Sequence, residues 1–131
     1  MLKVTRVGTA IPAQDVERAR AFYEQKLGFK PSTEDREGVS YMFGETGFFI
    51  FQSMGKASGD HTQMALDVED VEEAANELKR LGVKLEEYDV PGFKSHDGIV
   101  DLPGGGKGAW FKDTEGNLIG LGTLVTAATR R

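Results

Sequence analysis

The sequence predicts an α+β chain built of two tandem βαβββ modules whose curved mixed sheets surround a shared cavity. Three observations predict this. Residues 10–29 (AIPAQDVERARAFYEQKLGF) return as residues 65–83 (ALDVEDVEEAANELKRLGV), with Ala10/Ala65, Asp15/Asp70, Val16/Val71, Glu17/Glu72 and Ala19/Ala74 in register. Each copy reads as a strand end, a capped helix and a glycine stop, Gly28 or Gly82. Each copy is then followed by short alternating segments broken by turn residues, the mark of strands. The chain of 131 residues fits one domain. We divide it into module one (1–53), a linker (54–61), module two (62–124) and a tail (125–131).

In module one, residues 2–11 alternate loosely around Val4, Val7 and Ile11 and are expected to form a strand that Pro12 ends. Gln14 or Asp15 caps a helix with Glu17 in its first turn. Val16, Ala19, Phe22, Tyr23 and Leu27 share one helical face. Residues 30–37 are polar and are read as an outer strand or ribbon. Residues 39–43 and 47–52 flank Gly44-Glu45-Thr46 and read as a hairpin. The run Phe48-Phe49-Ile50-Phe51 is apolar on both faces, so both sides of that strand are expected to be covered.

Module two repeats the plan. Residues 62–68 form a strand with Met64, Leu66 and Val68 on one face. Asp70 caps a helix that buries Val71, Ala74, Ala75, Leu78 and Leu81. Residues 83–90 read as a strand, and 91–103 as a long connection with a short strand at 99–102. Residues 108–112 and 117–124 are strands joined by the turn Asp113-Thr114-Glu115-Gly116. Residues 126–131 read as a frayed end.

Composition narrows the function classes. Sixteen basic residues against 21 acidic ones give a net charge of −5, so there is no electrostatic footprint for nucleic acid or an anionic membrane. With no cysteine, disulfides, thiolate metal sites and a cysteine nucleophile are excluded. The N-terminal residues lack the apolar core of a signal peptide, and no run reaches the ~18 apolar residues of a membrane span. The expectation is a cytoplasmic protein. Gly104-Gly105-Gly106-Lys107-Gly108 is no phosphate loop, because Asp101 and Gly108 stand where glycine and Ser or Thr are needed. A hairpin or cavity lid is expected there.

The runs Asp15-Val16-Glu17-Arg18-Ala19, Phe22-Tyr23 and Leu27-Gly28-Phe29, with the closing Trp110-Phe111-Lys112-Asp113-Thr114-Glu115-Gly116-Asn117-Leu118, resemble the two signatures of the vicinal oxygen chelate superfamily. That superfamily holds glyoxalase I, bleomycin-resistance proteins, fosfomycin-resistance enzymes and extradiol dioxygenases. Thr114 replaces its usual proline. The resemblance implies a homodimer and a cavity with one divalent metal held by His and Glu. Counted by the family's spacing of seven residues from Asp15, Asp70 and Asp113, the ligand positions are Gly8, Gln63 and Gly120. A fourth position falls on Phe51 or Gln52. Two glycines and a neutral amide make a poor donor set for zinc or iron. No cofactor is therefore expected, and a divalent metal stays open only through relocated ligands.

Other candidates each have a plain alternative. His61 is a candidate relocated ligand, or else an exposed linker histidine. His96 is a candidate acid or base in a loop over the cavity, or else an exposed loop histidine. Gln63 either meets a ligand or is a buried amide satisfied by backbone. Tyr41, Phe49, Phe51 and Trp110 either wall a cavity for a planar ligand or pack the core. Arg6 either reaches the cavity or sits at its rim. The resulting expectation is a small-molecule binder that sequesters a drug or metabolite. The alternative is a lyase or isomerase of glyoxalase type, metal-free or with ligands from His61 and His96.

Overall fold

The computed structural model describes residues 1–122. The chain divides into two compact units, Met1–Ala57 and Ser58–Arg131. The first unit carries β1 (Thr9–Ala13), α1 (Val16–Arg20), a π-helical continuation (Ala21–Lys26), β2 (Thr33–Glu34), β3 (Gly38–Phe43) and β4 (Thr46–Gln52). The second carries β5 (Thr62–Asp67), α2 (Val71–Arg80), β6 (Asp89–Val90), β7 (Phe93–His96), β8 (Ile99–Asp101), β9 (Lys107–Lys112) and β10 (Leu118–Gly122). Two mixed sheets result: four strands in the order β1-β4-β3-β2, and six in the order β5-β10-β9-β8-β7-β6. In each, the strand before the helix pairs in parallel with the last strand of its unit, β1 with β4 and β5 with β10.

The helix signals act locally, and the structure follows them. The Asp15 carboxylate accepts from the Arg18 N–H at 3.0 Å, and the Asp70 carboxylate accepts from the Glu73 N–H at 3.0 Å. Gly28 and Gly82 take φ of 77° and 83° at the two helix ends, where a side chain would be strained. The first helix widens after Arg20, and the Leu27 N–H bonds to the Phe22 carbonyl. That extra residue per turn keeps both Phe22 and Tyr23 buried.

Several expectations are corrected. Residues 2–8 precede β1, and Leu2, Val4 and Val7 are exposed. Pro12 lies within β1 opposite Phe51, at one margin of its sheet, where a missing N–H is tolerated. The Phe48–Phe51 run is not covered alike on both sides: Phe48 and Ile50 are buried, while Phe49 is 38% exposed. Residues 83–90 do not form a continuous strand; Leu85 makes a single bridge to Phe111, and pairing resumes at β6. The connection at 91–103 holds a second strand, β7, joined to β8 by Asp97-Gly98 with both φ positive (55° and 84°). That is the turn geometry whose twist matches a hairpin. The glycine run closes another hairpin, with the Leu102 N–H bonded to the Gly106 carbonyl. Residues 123–124 of the last expected strand and the tail lie outside the described residues. No helix among the described residues is long and apolar enough to cross a membrane.

Candidate functional site

Register assigns every strand residue of the first sheet to one of two faces. Val39 stands opposite Ile50 and Tyr41 opposite Phe48, with Ile11 beside Ile50. This face meets the helix, and Tyr23 contacts Phe48 at 5.2 Å between ring centroids and Tyr41 at 6.2 Å. Ser40 stands opposite Phe49, Gly38 opposite Phe51 and Met42 opposite Gly47, while Ala10 and Pro12 flank Phe49 and Phe51. These residues, with Thr33 of β2 opposite Ser40, form the face turned away from the helix, and Ser40 and Thr33 are its polar side chains. Phe49 and Met42 are 38% and 40% exposed, and Phe51 is half-buried. The Phe49 and Phe51 rings lie 6.3 Å apart at 50° to each other.

Tyr41 therefore stands on the helix side. It is fully buried, and its hydroxyl donates to Glu24 Oε2 at 2.7 Å. Arg20 donates to the same carboxylate oxygen at 2.7 Å and to Glu34 at 2.9 Å. The Arg20 hydrogen bond, aided by Tyr41, holds the Glu24 carboxyl below its ordinary range despite burial. Burial first, and then the Glu24 charge, push the Tyr41 phenol well up. This network ties β3 to the π-helical turn.

The matching face of the second sheet is closed by its own aromatic rings. Val100, Trp110 and Leu118 form a buried cluster with Tyr88, Phe93 and Leu102 packed against it. Tyr88, Phe93 and Trp110 meet pairwise at centroid distances of 5.2, 5.8 and 5.5 Å. The Trp110 indole N–H donates to the Thr62 hydroxyl at 3.0 Å. Ser95 braces the hairpin from below, its hydroxyl accepting from the Tyr88 N–H and donating to Glu87.

The positions at which the resemblance places a metal make a poor donor set here. Gly8 and Gly120 carry no donor. Gln63 is the extra residue where the pairing of β5 with β10 slips, since Leu118 pairs with Thr62 and Ile119 with Met64. The slip also breaks the simple alternation that would put His61 and Gln63 on one face. His61 is exposed just ahead of β5, and His96 is exposed on β7 opposite Ile99 rather than in a loop. Phe51 offers no donor, and the Gln52 amide donates to the Gln14 carbonyl at 2.8 Å. Among the described residues, no three His, Cys, Asp or Glu side chains form a group that could hold a metal ion.

A polar depression of about 420 Å³ also lies at the start of α1, lined by Gln14, Asp15, Arg20, Arg36 and Gln52 among others. Asp15 there caps the helix, Gln52 holds the Gln14 backbone, and Arg20 is paired. Sequence reasoning passed over Met42, Tyr88 and Phe93. Period-two alternation from Ser40 would have found Met42, and the Asp97-Gly98 pair would have found the hairpin bearing Phe93.

Known structures share this architecture. A lactoylglutathione lyase from Agrobacterium tumefaciens is 18% identical, with 92% of this chain and 94% of that one covered at a TM-score of 0.67. The bleomycin-binding protein of bleomycin-producing Streptomyces verticillus, complexed with copper(II)-bleomycin, is 20% identical, with 92% and 97% covered at a TM-score of 0.67. A glyoxalase family protein from Enterococcus faecalis is 24% identical, with 88% and 94% covered at a TM-score of 0.65. At these identities the likeness is one of fold. The chain matches no curated protein sequence. The family model described as Glyoxalase/Bleomycin resistance protein/Dioxygenase superfamily matches residues 6–121, and the chain belongs to that superfamily.

Proposed function

We propose that this chain is a small-molecule-binding protein of the glyoxalase/bleomycin-resistance type that works without the superfamily's usual metal ligands and sequesters a drug or metabolite. One observation carries the reading. The sheet face turned away from the first helix presents Phe49, Phe51 and Met42 with no charged side chain, so it is built to take apolar surface out of water. Gly8, Gln63 and Gly120 at the chelating positions point the same way, because they cannot supply the charged donors that Lewis-acid chemistry needs. In this reading Phe49 and Phe51 contact the ligand, Tyr41 supports the sheet from behind, and the protein acts in the cytoplasm as a homodimer. The Streptomyces verticillus protein, which binds bleomycin on the same fold, supports a binding role.

A thermal-shift screen of drugs and metabolites, run in EDTA, tests it. A true ligand at a hundredfold excess over its Kd adds about 2.7 kcal/mol of stability. We expect such a ligand to be found, and Phe49→Ser to remove its shift. Ligands that raise the melting temperature only after Zn, Ni, Mn or Fe is added would favour the lyase or isomerase reading instead. In that case His61→Ala and His96→Ala should lower metal content or turnover.

A further inference from the structure

The large apolar side chains on the outer face of the first sheet lie down across glycines. A Cβ built on Gly8 would stand 3.2 Å from Phe49 Cε1, and one on Gly47 would meet the Tyr41 carbonyl oxygen and stand 2.6 Å from Met42 Sδ. Both distances are shorter than ordinary contact, so the ring and the thioether occupy the space that a side chain at either glycine would take. The consequence is a low floor rather than a set of knobs. Phe51 is tilted 50° from Phe49 with its centroid 6.3 Å away, so the two rings meet at an angle. The second unit uses the same device, since a Cβ on Gly108 would lie 3.0 Å from the Trp110 ring. There Tyr88 and Phe93 pack on the indole and leave it 7% exposed, so that floor is already covered by the chain itself. The Phe49 ring, by contrast, is 38% exposed.

A flat ring meeting a second ring at an angle suits a planar aromatic guest, which stacks on one and sets its edge against the other. A bulky aliphatic guest meets the same floor with little of its surface. Ser40 and Thr33 are the polar side chains that register places on this face, and neither is charged, so charge is not what this surface recognises. Resting on the binding role proposed above, we infer that this face selects a planar, uncharged aromatic compound, and that Gly8 is a specificity-determining residue that lets the Phe49 ring lie flat.

Two ten-carbon alcohols of opposite shape, 2-naphthol and 1-adamantanol, test the inference on the full chain. Naphthol is titrated by its own fluorescence, and adamantanol is titrated by competition or calorimetry. We expect naphthol to bind about fivefold more tightly, on the scale of one aromatic pair. Gly8→Ala keeps an ordinary backbone conformation but lifts the ring by a few tenths of an ångström. It should cut the preference about twofold or more, and Phe49→Leu should abolish it. Equal affinities in the unaltered protein, or a preference that survives both variants, overturn the inference and leave the binding role standing. Binding of neither alcohol also overturns it. If the screen in EDTA then finds no ligand, the binding role falls with it.

Discussion

Tyr41 shows what a single residue can conceal. By sequence it belongs with Phe49 and Phe51 as an aromatic strand residue, but a strand shows opposite faces to its neighbours at every step. Only the pairing of Tyr41 with Phe48, and of Ser40 with Phe49, settles which face meets the helix. The phenol then finds Glu24, and Arg20 completes the network. Because Glu24 titrates lower in the folded chain than its ordinary carboxylate value of about 4.3, its contribution to stability is fully present above that value. The contribution is lost as the pH falls through the depressed folded value. Glu24→Gln should therefore cost about 1–3 kcal/mol at pH 7 and flatten the acid limb below about pH 4.5. Urea midpoints measured from pH 7 to 3 check this; parallel curves for the two proteins would contradict it.

At the scale of elements, the signals that act over a few residues were legible. Asp15, Asp70, Gly28 and Gly82 mark helix ends by local chemistry and hold those places in the structure. The Asp113 turn is equally local: its carboxylate accepts from the N–H groups of Glu115 and Asn117 and from the Asn117 amide. Signals that depend on a partner were not legible. The widening of the first helix accompanies the burial of two adjacent rings, Phe22 and Tyr23, the second packed on Tyr41 and Phe48, which helical spacing does not foretell. The β7–β8 hairpin was announced by Asp97-Gly98, but the prolines and glycines around it read as a loop. Gly98 is a sharp test of that hairpin. Its φ is 84°, and a Cβ there would meet Leu85 at 2.6 Å. Gly98→Ala should cost about 2 kcal/mol or more. Trp110 is the one tryptophan and packs on Phe93 of this hairpin, so its emission should shift to the red in the native state of the variant. Unchanged emission and stability would mean that the hairpin does not seal the indole.

For the molecule as a whole, the repeat predicted two like units, and the structure has them, each a mixed sheet in which the first strand pairs in parallel with the last. The signatures at residues 15–29 and 110–118 were enough for the superfamily, which the match over residues 6–121 now shows. Of the proposed site, the spacing offers a negative side, Gly8, Gln63 and Gly120 where the resemblance places ligands. Its positive side, the floor of Phe49 and Met42 over glycines, needed coordinates, because a ring's tilt across a neighbouring strand leaves no trace in the sequence. The central claim is a superfamily scaffold that binds its ligand without a resident metal. Elemental analysis tests it most directly, on protein expressed in medium containing Zn, Ni, Mn and Fe and purified without chelator or a metal-affinity step. Metal far below one equivalent per chain is the predicted result, and close to one equivalent of any of these metals would contradict it.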